Sequence, residues 1–159
     1  MLIYCTGATG LVGYNFVKSA AAEGHKVIAV CGSRELPPME NVQVVHCDLL
    51  DENAVQRAVL DSFPDAIVNC AAISSPVDVD ANPTLAEKMN TALPETLARL
   101  ANHVGARFIH LSTDMVFDGT AAPYKNTDVP MPCTLYGTTK LMAEKKVLKA
   151  AAPTSVVLR

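Results

Sequence analysis

Thr6-Gly7-Ala8-Thr9-Gly10-Leu11-Val12-Gly13 is the stretch that decides the fold. It follows a short apolar run, Leu2-Ile3-Tyr4-Cys5, and opens an amphipathic stretch that continues to Glu23. Strand, glycine turn and helix in that order are the context of a dinucleotide fingerprint. Gly7 permits a tight turn off the strand, including positive φ. Gly10 has no Cβ, so backbone N–H groups can come close to a pyrophosphate. Gly13 lets the new helix pack against the strand. The helix start then offers unpaired N–H groups and a positive dipole end to phosphates. The spacing is G-x-x-G-x-x-G rather than G-x-G-x-x-G, and the plain alternative is an ordinary strand-to-helix turn. Its place at the head of an alternating strand and helix pattern favours the cofactor reading.

The 159 residues suit one domain, which at this size buries roughly 70% of its unfolded surface. With 50% hydrophobic and 18% charged residues, a full core is expected rather than disorder. The net charge of −3 comes with no basic block, so neither nucleic acid nor an anionic membrane surface is an expected partner. No apolar run reaches the roughly 20 residues of a membrane span. The chain enters a strand at once, so a signal peptide is not expected and a cytoplasmic location is. The cysteines Cys5, Cys31, Cys47, Cys70 and Cys133 are odd in number and form no C-x-x-C. Four lie in or beside apolar runs and read as reduced, buried thiols. His25, His46, His103 and His110 lack metal-ligand spacing and read as structural.

Downstream, Gly24 stops the first helix and Lys26 to Cys31 reads as a buried parallel strand. A cofactor discriminator belongs at its end, about 20 residues past the last fingerprint glycine. An acid there would indicate NAD. This chain has Gly32-Ser33-Arg34, and a hydroxyl with a guanidinium suits a 2′-phosphate. NADP(H) is therefore favoured over NAD(H), with Glu35 as the contrary signal and a solvated loop arginine as the alternative. Pro37-Pro38 marks a loop, and Val42 to His46 is a third strand ending at Cys47-Asp48-Leu49. Asp48 reads equally as an acceptor for an adenine amino group or as a turn residue. Asp51 N-caps a helix through Asp61. Ala66 to Cys70 is a fourth strand, and Ala71-Ala72 leaves room for a flat cofactor beside the glycine turn. Asn69 is expected to hold the loop that follows.

Residues 73–81 read as an irregular polar loop. Asn82 and Pro83 start a helix as N-cap and first residue; it carries Asn90 and should kink or split at Pro94. Gly105 closes it. Arg107 to Leu111 is a fifth strand leading into Ser112-Thr113-Asp114. The proline-bearing stretch from Met115 to Cys133 is long for a compact domain, and such loops are often functional. Tyr136 opens the last helix, and Ser155 to Leu158 is a sixth strand. Six strands alternating with helices give an α/β, doubly wound parallel sheet, with ligand outside the carboxyl ends of the strands. Gly7, Gly10, Ser33, Asp48, Ala71, Ser112 and Thr113 all fall at such ends.

Tyr136-Gly137-Thr138-Thr139-Lys140 puts a phenol and an ammonium at i and i+4 on one helix face. Taken alone this is usually a surface pair. Downstream of the fingerprint and a Ser-Thr strand end, it reads as catalytic. The Lys charge is expected to lower the Tyr136 pKa toward a useful range. Tyr136 would give a proton to a carbonyl oxygen as hydride reaches the carbon. Thr113, with Ser112 as the weaker candidate, would hydrogen-bond that oxygen.

Together these residues resemble the extended short-chain dehydrogenase/reductases, most closely the dTDP-4-dehydrorhamnose reductase branch. The likeness rests on Thr6 to Gly13, Asn69 to Ala72, Val77-Asp78, Asn90, the run from Leu111 to Thr120, Tyr124, Pro132, Tyr136 to Lys140, and Glu144. It implies an NAD(P)-binding Rossmann domain over residues 1–159 and the catalytic set Thr113, Tyr136 and Lys140. It also implies a cofactor-binding set of Gly7, Thr9, Gly10, Leu11, Val12, Gly13, Ser33, Arg34, Asp48, Leu49, Ala71, Ala72 and Asn90, with Tyr136 and Lys140 on the nicotinamide ribose side. The implied reaction is reduction of a 4-keto group on a nucleotide-linked deoxysugar; a homo-oligomer stays open. Met115 stands where the family usually has Tyr, and the chain is expected to lack the family's C-terminal substrate lobe. The same resemblance extends to the regulatory subunit of methionine adenosyltransferase, a nucleotide-binding partner, and to sugar-nucleotide epimerases and dehydratases.

Overall fold

The computed structural model describes residues 1–151 and 153–159. Six parallel strands form one sheet: β1 Leu2–Thr6, β2 Lys26–Cys31, β3 Val42–His46, β4 Ala66–Asn69, β5 Arg107–Leu111 and β6 Ser155–Leu158. Their order is β3-β2-β1-β4-β5-β6. The order reverses between β1 and β4, which pair from Ile3↔Ala66 to Thr6↔Asn69. A crevice opens at the carboxyl ends there, because connections leave in opposite directions on its two sides.

Helices cover both faces. The side chains alternate along each strand, so one row goes to each layer. Tyr4, Ile28, Val30, Ile67 and Phe108 pack against Val55 and Val59 of α2 (Glu52–Ser62), Leu97 and Ala101 of α5 (Leu93–Val104), and Val147 of α6 (Leu135–Ala151). The opposite row, including Ile3, Cys5, Val27, Ala29 and Val68, packs against Val17 and Ala20 of α1 (Leu11–Ala22). Val156 and Leu158 of the edge strand β6 are half exposed.

The expected strands lie at their expected places, and Asp51 caps α2 by accepting from the Asn53 and Ala54 amides. Three local readings are corrected. Residues 73–81 are not all loop: α3 spans Pro76–Ala81, capped by the Ser75 hydroxyl. The cap and the proline at its first position are both sequence signals of a helix start. Second, the kink or split expected at Pro94 falls before the proline, as an interruption of the helix that begins at Pro83. After α4 (Pro83–Glu87) the backbone widens into one π turn, Lys88–Ala92, and the Leu93 N–H donates to the Lys88 carbonyl. Proline has no N–H for the carbonyl four residues back, and the extra residue in the turn absorbs that mismatch. Third, Asn69 does not hold the following loop. Asn90, buried in the π turn, does so: its Oδ1 accepts from the Ile73 amide at 2.8 Å and its Nδ2 donates to the Ile73 carbonyl at 3.0 Å. All five cysteines are free thiols. Cys5 and Cys31 are buried as expected, whereas Cys47 and Cys70 are partly exposed and Cys133 is exposed.

Candidate functional site

The fingerprint folds by close backbone contact. Gly7 has φ of +67°, and the Gly10 amide donates to its carbonyl at 2.9 Å. Gly10 caps α1 in extended conformation with no side-chain hydrogen bond. Gly13, one turn into α1, presses its Cα against the Gly7 carbonyl, where a Cβ would collide. The first N–H groups of a helix have no partners within it, so the amides of Leu11, Val12 and Gly13 point outward past an uncapped end. Leu11 and Val12 are exposed at this helix end.

A groove opens at the switch point beside this helix end, at Thr9 and Gly10. Of the residues expected to bind cofactor, Gly7, Thr9, Gly10, Ser33, Arg34, Leu49, Ala71 and Ala72 line it together, whereas Leu11, Val12 and Gly13 are not among its lining residues. The structure adds Gly32, Cys70, Ile73 and Met89. Met89 and Ile73 carry no local motif; the π turn and its Asn90 bonds bring them to the groove. Asp48 sits in an adjoining recess with Ser33, His46 and Cys47. Its Oδ1 accepts from the Leu50 amide at 2.9 Å, so its turn role is real. Glu35 is turned toward the His46 ring at 3.7 Å, and His46 Nδ1 lies 2.8 Å from the Gly32 carbonyl. Arg34 is exposed and forms no ion pair among the described residues. Asn90 is fully buried, and besides Ile73 it donates to Thr139 Oγ1 at 3.2 Å. It shapes the groove through the loop and shows the groove no free polar atom.

The second cluster lies where β5 meets α6. Tyr136 and Lys140 are both buried, at 8% and 2% exposure, so they are not a solvated surface pair. Lys140 Nζ donates to the Leu111 carbonyl at 2.5 Å and lies 3.4 Å from His110 Nε2. Burial lowers its pKa to about 8, against the opposing pull of Glu144 and then Cys70. Burial raises the Tyr136 phenol, opposed by the neighbouring Thr113 side chain, whose hydroxyl donates to Asp114 Oδ1 at 3.2 Å. This corrects the expectation that Lys140 lowers the phenol's pKa: the ammonium is engaged by Leu111 and does not govern the phenol. Thr113 also accepts from the Met115 amide at 3.2 Å, starting a short 3-10 turn, Asp114–Val116. Ser112 is committed elsewhere, since its hydroxyl donates to Glu144 Oε1 at 2.5 Å. Of the two hydroxyls, Thr113 is the one beside the phenol.

A third group anchors this corner. Arg159 Nε and Nη2 hold Glu144 at 3.0 and 2.7 Å, and the guanidinium lies 5.1 Å from the Phe117 ring centroid. Phe117 stacks on Tyr124 at 4.2 Å, and Tyr124 donates to Asp118 Oδ1 at 2.6 Å. That bond, with those from the Thr120 backbone and hydroxyl, lowers the Asp118 pKa. The expected long loop is thus pinned to the end of β6. Among the described residues no cluster of His, Cys, Asp or Glu could hold a metal, and no helix is long and apolar enough to cross a membrane.

The whole chain, residues 1–159, matches the family model described as RmlD substrate binding domain. It is 41% identical over 144 residues to methionine adenosyltransferase 2 subunit beta of Xenopus laevis, covering 91% of this chain and 42% of that protein. It is 38% identical over 159 residues to dTDP-4-dehydrorhamnose reductase of Mycolicibacterium smegmatis, covering 99% of this chain and 44% of that one. A crystal structure of a dTDP-4-dehydrorhamnose reductase from Clostridium acetobutylicum superposes with a TM-score of 0.84 at 30% identity, covering 99% of this chain and 52% of that one. The chain therefore spans about half the length, or less, of these proteins. The Rossmann-like α/β sheet and the match along its full length place this chain in the RmlD substrate binding domain family.

Proposed function

We propose that this chain is the cofactor-binding half of an NAD(P)H-dependent reductase acting on a 4-keto nucleotide sugar. The observation that carries the reading is the shared rim. The uncapped α1 end, Ser33-Arg34 and the Thr113–Tyr136–Lys140 cluster all lie at the carboxyl ends of the strands of one sheet. The cradle suits a dinucleotide: Gly7 and Gly10 present bare backbone, and free helix N–H groups favour a pyrophosphate. Ser33 and Arg34 would hold a 2′-phosphate, with Glu35 drawn off toward His46. Asp48 and Leu49 would flank the adenine, and Ala71 and Ala72 would face the ribose and nicotinamide side.

A nicotinamide cofactor, when bound, supplies hydride. The chain's residues supply the rest. Tyr136, kept protonated by burial, would hold the proton delivered to the substrate oxygen. Thr113 would orient that oxygen and stabilise its developing charge. Lys140 would reach the cofactor ribose from its buried seat. Cytoplasmic location belongs to the same reading.

A second reading has its own observation, the 41% identity to a methionine adenosyltransferase subunit. On that reading the groove binds nucleotide and the chain acts on a partner enzyme without turnover. One experiment separates them. NADPH oxidation is followed with a dTDP-4-keto-6-deoxysugar, using these 159 residues and the whole product of the gene that encodes them. Turnover abolished by Tyr136→Phe supports the reductase. NADPH binding without turnover in either form, with altered methionine adenosyltransferase kinetics on mixing, supports the regulatory reading.

A further inference from the structure

One buried polar row has no part in the site described above. Thr6, Asn69 and His110 stand side by side across β1, β4 and β5, in register as Thr6↔Asn69 and Asn69↔His110. They are 0%, 1% and 0% exposed. Polar side chains this deep need partners, and these find them in one another. Thr6 Oγ1 donates to Asn69 Oδ1 at 2.5 Å, and Asn69 Nδ2 lies 3.1 Å from His110 Nδ1. The far ring nitrogen, Nε2, lies 3.4 Å from Lys140 Nζ. The row therefore ends on the one ammonium buried in the site.

The two ends of this row constrain each other. An ammonium has three donors and no acceptor, whereas a neutral imidazole has one of each. A charged Lys140 needs a lone pair on Nε2. The ring proton then sits on Nδ1 and goes to Asn69 Oδ1, and Asn69 Nδ2 donates to Thr6 Oγ1. A neutral Lys140 has a lone pair of its own and accepts from an Nε2–H. Nδ1 then accepts from Asn69 Nδ2, and Asn69 Oδ1 accepts from Thr6. Converting the first arrangement into the second takes one proton out of the row: Lys140 passes a proton to Nε2, Nδ1 releases its own to solvent, the Asn69 amide turns over so that Oδ1 and Nδ2 exchange places, and the Thr6 hydroxyl rotates to donate. Thr6 and Asn69 stand in the second arrangement.

We propose that Thr6, Asn69 and His110 form a hydrogen-bond chain whose polarity follows the charge on Lys140, with His110 as the positioning residue for that side chain. The inference rests on the reading of Lys140 as the partner of Tyr136 and the cofactor ribose. It adds how Lys140 gains and loses a proton without a buried donor facing another donor. The ring serves only as a neutral tautomer, because burial and then the Lys140 charge push its pKa down to about 3. Lys140, by contrast, changes charge near pH 8. The groups facing it are Glu144 on its own helix, Cys70 after β4, and His110 with the Leu111 carbonyl from β5.

The test is NMR of the 159-residue chain, labelled with nitrogen-15 at histidine and carbon-13 at lysine, across the Lys140 titration. His110 should pass from the Nδ1–H to the Nε2–H tautomer with the same midpoint as the Lys140 Cε shift. A ring that keeps one tautomer while Lys140 titrates overturns the proposal. His110→Phe should lower the Lys140 midpoint by about one pH unit, because a hydrogen bond to the charged form is lost. His110→Gln, whose Oε1 replaces Nε2 as acceptor, should restore it. Equal midpoints in folded parent and both variants also overturn it. The tautomer readout on the parent decides the matter should His110→Phe not fold. None of these measurements needs turnover, so absence of reductase activity would sink the functional reading and leave this one standing.

Discussion

A Cβ on Gly7 would stand 2.6 Å from the amide nitrogen of Ala71. This contact joins the first glycine turn to the end of β4 across the switch point, so the two walls of the groove meet at bare backbone. Gly7→Ala adds an overpacked contact to a strained left-handed φ and should destabilise the chain by about 3 kcal/mol. At Gly10 a Cβ would meet only the Gly7 carbonyl, at 3.3 Å. Gly10→Ala should therefore leave stability within about 1 kcal/mol while weakening NADPH at least about tenfold, by filling the approach to the helix N-terminus. Denaturant melts beside calorimetric titration would check both halves.

Arg34 is expected to set cofactor preference, because it is exposed at the groove and Glu35 faces His46 instead. The parent should bind NADPH more tightly than NADH. Arg34→Ala should lose that preference, a change of about 1.5–3 kcal/mol for a charge-assisted pair to phosphate. Equal dissociation constants in the parent would refute the assignment.

Tyr136→Phe should cut kcat at least about 100-fold in a turnover-competent form, with cofactor binding little changed. The phenol is buried beside Thr113, so the variant keeps the packing and loses only the proton. Near-parental turnover would mean that another group donates it.

Glu144 accepts from Ser112 and from two nitrogens of Arg159, at 3% exposure. Removing its charge leaves the guanidinium without its carboxylate in a partly buried place. Glu144→Gln should destabilise by about 2–3 kcal/mol, toward the low end for a broken buried pair. A loss under about 0.5 kcal/mol would show that the corner is held by the Phe117–Tyr124 stack instead.

Lys140 gives a pH signature. Its folded pKa, about 8, lies below its ordinary value. Between about pH 8 and about pH 10.5 the unfolded chain therefore binds more protons at this site, and stability rises with pH through that window. Below about pH 8 both states carry the charge, and its burial opposes folding in full. Lys140→Met should accordingly be more stable than the parent at pH 7 by about 2 kcal/mol. The advantage should shrink as pH rises through the window. Comparing the pair cancels the buried thiols, whose raised pKa values act in the opposite sense above about pH 9. A constant difference across the window would contradict the depressed lysine.

Local chemistry in the sequence determined most of the fold. Glycine spacing after an apolar run, strand-length apolar runs and the Asp51 and Asn82 caps are short-range signals, and they placed six strands and the turn at Gly7. Ser75-Pro76 carried the same kind of signal for α3 and was legible on that ground. The common rim on which the candidate residues lie was readable from the strand ends, because every carboxyl end of a parallel sheet opens on one rim. Tertiary structure alone decided the rest. It turned the Lys140 ammonium to Leu111 and His110, so burial rather than that charge sets the Tyr136 pKa. It gave the loop to Asn90 instead of Asn69, through a π turn that no periodicity announces. It aligned Thr6, Asn69 and His110, which are 63 and 41 residues apart in sequence, into one buried row. Register between strands is set by the packing of whole layers, and a hydrogen bond across it exists only once those layers have closed.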